Sequence, residues 1–231
     1  MKTAILISGQ MRSFRQCFAS QRWHVYRHFE DPEFWVTVQD NPQAESIDLL
    51  RAEYGPERVH VRLLDDPVLP VSDAVRKGWG EAPYANAAPP EKLLLQHWYQ
   101  SEVWGDYLNA NNEAELVVRV RADLKFHSFD GGHELNGVST PWWGKFGGCN
   151  DRFAVMDHDC SFAYFSVYDM IEELLEKGCP FHPESLTLGA LEESGVSHRE
   201  TLRAEFSTLR MTGEQRWPEI TMIDMAHAAM R

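Results

Sequence analysis

The chain of 231 residues has no run of about eighteen consecutive apolar residues, so no segment of it is expected to cross a bilayer as a helix. Its first apolar stretch, Ala4-Ile5-Leu6-Ile7, is cut off by Ser8-Gly9-Gln10, which is too short for a secretory leader and suits a buried strand. Cysteine is sparse: Cys17, Cys149, Cys160 and Cys179 fall into no paired zinc spacing and are too few for a disulfide scaffold. A reduced, soluble, cytoplasmic protein is expected. G-x-G-x-x-G and Walker-type phosphate loops are missing, as are internal repeats and low-complexity tracts. Basic residues are in the minority, 22 Lys and Arg against 35 Asp and Glu for a net charge of −13. A field of that sign repels phosphate backbones and excludes broad non-specific nucleic-acid binding. It leaves room for an anionic ligand wherever a few arginines gather.

What the sequence does have is core-forming material: 43% hydrophobic and 12% aromatic residues. Strand and helix alternate in the first half. The continuous apolar run over Thr3–Ser8 predicts a buried strand. Phe14, Cys17, Phe18, Val25 and Phe29 then recur at helical spacing up to the Asp31-Pro32 break. Phe34–Gln39 predicts a second strand, Ser46 the cap of a short helix closed by Gly55, and Arg58–Arg62 a third strand. This order implies an α/β fold, a mostly parallel central sheet with helices on both faces. Ligands of such sheets bind at the carboxyl ends of the strands.

The prolines and glycines of Leu64–Pro90 predict a long surface excursion, suited to a lid. A helix is expected from about Glu91 with Leu94, Trp98, Ser101, Gly105 and Leu108 on one face. It is followed by a strand over Glu115–Phe126, a Gly- and Trp-rich loop over Asp130–Cys149 and a short strand over Arg152–Met156. Helices are expected over Ser161–Lys177 and Glu184–Ser194, and Thr201–Met211 suits either strand or helix. The whole reads as a single domain.

Within Leu116–Leu124, a period of two sets Arg119, Arg121 and Asp123 on one side of the strand and Val118, Val120, Ala122 and Leu124 on the other. Guanidinium forks suit a diphosphate, and a carboxylate beside them can hold a divalent cation or a ribose hydroxyl. The ordinary alternative is a self-neutralising ion-pair cluster. Gly9 and Gln10 follow the first strand, where backbone can approach a ligand near a helix N-terminus and Arg12 or Arg15 can reach a phosphate. Trp142 and Trp143 lie in a glycine-rich loop and suit stacking on a sugar or base, or else a plug for the core. Asp151 emerges from that loop as a candidate general base. Asp157 and Asp159 have the D-x-D spacing of a metal site, but acids at the start of the following helix suit capping better. His182-Pro183-Glu184 opens a helix, with His182 a candidate metal ligand and Glu184 a second candidate base.

Taken in order, Gly9-Gln10-Met11-Arg12, Arg119-Val120-Arg121-Ala122-Asp123, Asn150-Asp151-Arg152-Phe153-Ala154 and Pro183-Glu184 resemble the pattern of small bacterial and phage glycosyltransferases with a GT-A-like, Rossmann-like fold. The resemblance implies a nucleotide-sugar-binding half over 1–126 and an acceptor-side half over 127–231. Gly9, Gln10, Arg12, Arg119, Arg121 and Asp123 would hold the donor, a UDP-sugar by preference. Asp151 or Glu184 would serve the acceptor, and Mn²⁺ or Mg²⁺ would sit at Asp123 and His182. The family's usual acidic pair is broken by Arg121, so an arginine could replace the cation. The implied acceptor is 5-hydroxymethylcytosine in viral DNA, which places the enzyme in the host cytoplasm, or a glycan of surface polysaccharide synthesis. A DNA acceptor would need Arg76, Lys77, Lys92, Lys125 and Lys145 to share one face. Two readings of other classes are a nucleotide- or carbohydrate-binding module without turnover, and a metal-dependent phosphotransferase built on Asp157 and Asp159.

Overall fold

The computed structural model describes residues 1–81, 89–110, 114–209 and 215–216. In chain order the elements are β1 (Thr3–Gly9), α1 (Phe14–His24), β2 (Glu33–Gln39), α2 (Asp48–Tyr54), β3 (Val59–Leu64), α3 (Asp73–Glu81), α4 (Pro90–Asn109), β4 (Leu116–Val120), β5 (Leu124–Phe129), β6 (Val138–Pro141), β7 (Phe153–Asp157), α5 (His158–Phe165), α6 (Val167–Glu176), α7 (Pro183–Glu193), β8 (His198–Leu202), β9 (Ala204–Leu209) and β10 (Gln215–Arg216). Seven strands form one sheet in the order β3-β2-β1-β4-β7-β6-β8, and β10-β9-β5 form a second. In the large sheet β3, β2, β1 and β4 run parallel, β7 is antiparallel to both its neighbours, and β6 and β8 are parallel. The expected mostly parallel α/β sheet is therefore present, and it draws strands from both halves of the chain.

Alternation along the strands splits the core in two. Ile5, Ile7, Phe34, Val36, Val118, Val120 and Val155 face α1, α2 and the small sheet. Ala4, Leu6, Trp35, Val117, Ala154 and Met156 face α4, α5 and α7. Helices thus cover both faces, as a sheet apolar on both sides requires. A third, smaller cluster joins α3, α4, α6 and α7 through Val75, Leu94, Ile171, Leu174 and Phe181.

Several sequence expectations change. The strand read over Glu115–Phe126 is two strands in different sheets, because the chain turns at Arg121–Asp123 with Leu124 N–H donating to Arg121 O at 3.3 Å. The period of two therefore stops at Val120. The proline-rich excursion contains α3, and its residues 82–88 lie outside the described part. The buried residues of α4 are Leu93, Leu94, His97, Tyr99, Gln100, Val103, Trp104 and Tyr107; of the expected face Leu94 is buried, while Leu108 is exposed. The helix read over Ser161–Lys177 is broken at Ser166 into α5 and α6. The short helix α2 begins at Asp48 without a side-chain cap; ahead of it a 3-10 turn over Pro42–Ile47 is capped by Asn41, whose side chain accepts from Gln43 N–H at 3.0 Å, and Ser46 lies inside that turn. Of the ambiguous tail, β9 settles residues 204–209 as strand, and 210–211 fall outside the described residues.

Candidate active site

Because β1 to β4 are parallel, their carboxyl ends share one edge of the sheet. The antiparallel β7 brings its preceding loop to that same edge, pairing Phe153 with Val120. The Arg121 N–H donates to Arg152 O at 3.1 Å, tying the two sequence motifs together through the backbone. Six expected or neighbouring charged groups then meet: Arg119, Arg121, Asp123, Asp151, Arg152 and Glu184.

Arg121 grips Asp123 with both arms of its fork, Nε to Oδ1 at 3.0 Å and Nη2 to Oδ2 at 2.7 Å. Arg152 Nη2 donates to Glu184 Oε1 at 2.8 Å, and its Nε lies 3.6 Å from Asp151 Oδ1. Asp151 Oδ2 accepts from Gln96 Nε2 at 2.5 Å, and His182 Nδ1 stands 2.9 Å from Glu184 Oε2. Arg119 is the exception. It is 1% exposed, makes no ion pair among the described residues, and reaches only Val120 O at 3.4 Å. Beneath it, on the inner face of α4, are His97 and Gln100, joined at 3.0 Å.

Burial sets the electrostatics. Arg119 is pushed down to about 10, chiefly because burial penalises its charge. Burial acts the same way on Arg121, but Asp123 and Asp151 outweigh it and raise its pKa. Asp151 is also deeply buried, yet Arg152, Arg121 and His97, with the Gln96 amide, hold its carboxyl below the usual carboxylate range. Burial pushes His97 down to about 4, so its ring is neutral at pH 7. Asp151 is therefore a firmly ionised anion inside a ring of donors, and the partly exposed forks are those of Arg121 and Arg152.

The loop ahead of β7 is held against α7 by a close backbone approach. A Cβ on Gly148 would stand 2.0 Å from the Glu184 carbonyl oxygen, and Cys149 N–H donates to that oxygen at 3.0 Å. Glycine is required there, and the contact holds the first turn of α7, which carries Glu184, against the loop. Two residues earlier Phe146 takes a left-handed backbone, φ 43°, uncommon for a bulky side chain. Its ring is exposed, with the Arg152 guanidinium carbon 5.5 Å and the His182 ring 5.6 Å from its centre. Beside it opens a cleft of about 880 Å³ between α3, α6 and the start of α7, lined by Lys77, Glu81, Phe146, Glu176, Phe181 and His182 among others.

The remaining expected residues lie elsewhere. Gly9 ends β1 with φ 104°, and Gln10 starts an amide chain along the neighbouring strand ends: to Gln39 at 3.0 Å, from Gln39 to Asp66 at 2.7 Å, and from Tyr99 to Asp66 at 2.8 Å. Arg12 is exposed in the next turn. Trp142 is half-buried; Trp143 packs on Phe206 at 4.5 Å and donates its Nε1–H to Ala204 O at 2.8 Å, the role of a core plug. Asp157 sits at the opposite edge of the sheet, accepting from Asn136 and Gly137 N–H, and Asp159 is exposed beside His158. The five basic residues do not all share one face: Arg76 and Lys77 are on α3 and Lys92 on α4, Lys125 is on β5 across the sheet from α4, and Lys145 is bound to Glu200 at 2.7 Å.

Of the two expected metal ligands, Asp123 is gripped by Arg121 and His182 stands beside Glu184. Both Asp123 oxygens are taken by Arg121, and the described residues contain no group of three or more His, Cys, Asp or Glu arranged to hold an ion. The residues as they stand do not fit a divalent cation.

Sequence reading missed Gln96, His97, Gln100, Arg152 and Phe146. A signal existed for the first three: a polar stripe at three- and four-residue spacing on a helix that has to pack on a sheet. Phe146, between Lys145 and Gly147 in a glycine-rich loop, had none of comparable strength.

No protein-family profile and no curated protein matches the chain. Among solved structures it is similar to the glycosyltransferase GlyE of Streptococcus pneumoniae TIGR4. The apo form aligns with 14% identity over 86% of this chain and 45% of that one; a second GlyE structure aligns with 11% identity over 86% and 44%, both with a TM-score of 0.45. The chain thus spans less than half the length of those proteins. No helix among the described residues is long and apolar enough to cross a membrane.

Proposed function

We propose that the protein is a glycosyltransferase that takes its sugar from a nucleoside diphosphate donor, a UDP-sugar by preference. The observation that carries this reading is the meeting of the Arg121 and Arg152 forks, over the buried charge of Arg119, at the carboxyl edge of parallel strands. Each fork is held by a carboxylate, which orients it before a ligand arrives. A diphosphate competes with Asp123 for Arg121, and Gly9, Gln10 and Arg12 border the donor on the β1 side. In the reaction the acceptor oxygen bonds to the anomeric carbon as the bond from that carbon to the diphosphate oxygen breaks. The departing nucleoside diphosphate takes the electron pair, and the arginines stabilise its charge. The acceptor proton passes to the Glu184 side of the site, where His182 reaches the cleft and Glu184 stands behind it. Asp151, ionised and deep, holds the arginines in place. No step runs through a metal ion.

Of the two acceptors, a glycan is favoured over hydroxymethylated DNA by the scattering of the basic residues. Calorimetry with UDP, UDP-sugars and the Arg121→Ala variant tests the donor side. UDP and UDP-sugar affinity should both fall more than about tenfold, because the lost contact is to the diphosphate. Unchanged affinity removes Arg121 from the site. Turnover of a UDP-sugar by the unaltered protein separates a transferase from a binding module.

A further inference from the structure

We infer that the cleft beside the charged centre is the acceptor subsite, and that it takes an uncharged sugar ring stacked on Phe146 rather than a polyanion. The acceptor role rests on the transfer reading above; the ligand chemistry rests on the cleft itself. Phe146 is 43% exposed and sits on a backbone conformation that bulky residues avoid. Strain of that kind persists where the surroundings over-determine it, and it clusters at ligand clamps. The Gly148 contact supplies the surroundings, since the loop cannot withdraw from α7 while backbone meets backbone.

The position of the ring is informative. It lies 5.5 Å from the Arg152 guanidinium carbon of the charged centre and 5.6 Å from the ring of His182, which lines the cleft and is paired with Glu184. A sugar ring has an apolar face of C–H groups and a rim of hydroxyls, and the face stacks on an aromatic while the rim meets polar groups. Here the far wall supplies Leu175, Pro180 and Phe181 for the apolar part, and His182 supplies a polar group next to the stacking platform. The charges of the cleft, Glu81 and Glu176 against Lys77, leave it net negative within a chain of net charge −13. That field opposes a phosphate backbone and is indifferent to a neutral glycoside.

The test is calorimetric binding of 4-nitrophenyl glycosides of several neutral sugars, and of a hydroxymethylcytosine duplex, to the full chain and to Phe146→Ala and Phe146→Trp. UDP binding and the melting curve are recorded on the same samples. At least one glycoside should bind. Phe146→Ala should weaken it about tenfold, and Phe146→Trp should hold it within about threefold. A chain that binds no glycoside, or binds one equally well after Phe146→Ala, overturns the inference. So does a duplex that binds more tightly than the glycosides and depends on Phe146. Failure of UDP to bind, with glycoside binding dependent on Phe146, strikes the donor reading and supports the ligand chemistry assigned to the cleft.

Discussion

The charged centre at the strand ends and the cleft beside it are built on opposite plans. In the centre two guanidiniums and three carboxylates interlock, Arg121 with Asp123 and Arg152 with Glu184 and Asp151, beside the buried Arg119, which makes no ion pair among the described residues, and the groups are mostly buried. In the cleft the walls are largely apolar, the charges few, and an aromatic ring stands in solvent. A buried ionic network is stiff, because each member held in place holds another, and removing one partner strands the rest. An apolar cleft recognises by shape and tolerates change at its rim. The contrast places demand for charge on one side of the site and demand for fit on the other.

The contrast can be broken most forcefully at Glu184, which lies 3% exposed between Arg152 and His182. Glu184→Ala takes from the part-buried Arg152 guanidinium its hydrogen-bonded carboxylate, leaving only Asp151 at 3.6 Å, and should cost about 3 kcal/mol of stability, read from the denaturant midpoint. A change within a few tenths would mean that the network is slack. A second test sharpens the contrast through His97. Its pKa, about 4 when folded, lies below its ordinary 6.5, so the unfolded chain binds the extra proton between those values. Its contribution is complete above pH 6.5 and is lost as the pH falls toward 4. Between pH 7 and 5 the protein should lose roughly 2 kcal/mol more stability than His97→Gln does. Parallel curves would show that His97 is not buried as a neutral ring. The smallest effect concerns metal: with Asp123 held by Arg121, a chelator should change turnover by less than about twofold, and collapse of activity in chelator would show that a cation displaces that pair.

The parts of the fold legible in the sequence were those written in continuous apolar runs. The order β1-α1-β2-α2-β3 follows from Thr3–Ser8, Phe34–Gln39 and the helical spacing between them. The turn at Arg121–Asp123 escaped because no glycine or proline marks it and the alternation of Val118 and Val120 continues into Ala122 and Leu124. It is made instead by tertiary contacts, with Gln21 Nε2 donating to the carbonyls of Arg121, Ala122 and Leu124. The buried stripe of α4 escaped because the helix carries apolar residues on two faces, and only the sheet decides which is inside. At the site, Arg121, Asp123, Asp151 and Glu184 were readable as polar residues at the ends of apolar segments. Their meeting around Arg152 was not, because Arg121 and Arg152, 31 positions apart, become neighbours only when β7 runs against β4.

Gly148 links the two plans. Since a methyl group has no room between it and the Glu184 carbonyl, the strip of chain that ends in the solvent-facing phenyl ring and the first turn of α7 are coupled like two cogs without play. One backbone contact thus sets the spacing between the solvent-facing ring and the buried acid, and any side chain at position 148 would push them apart.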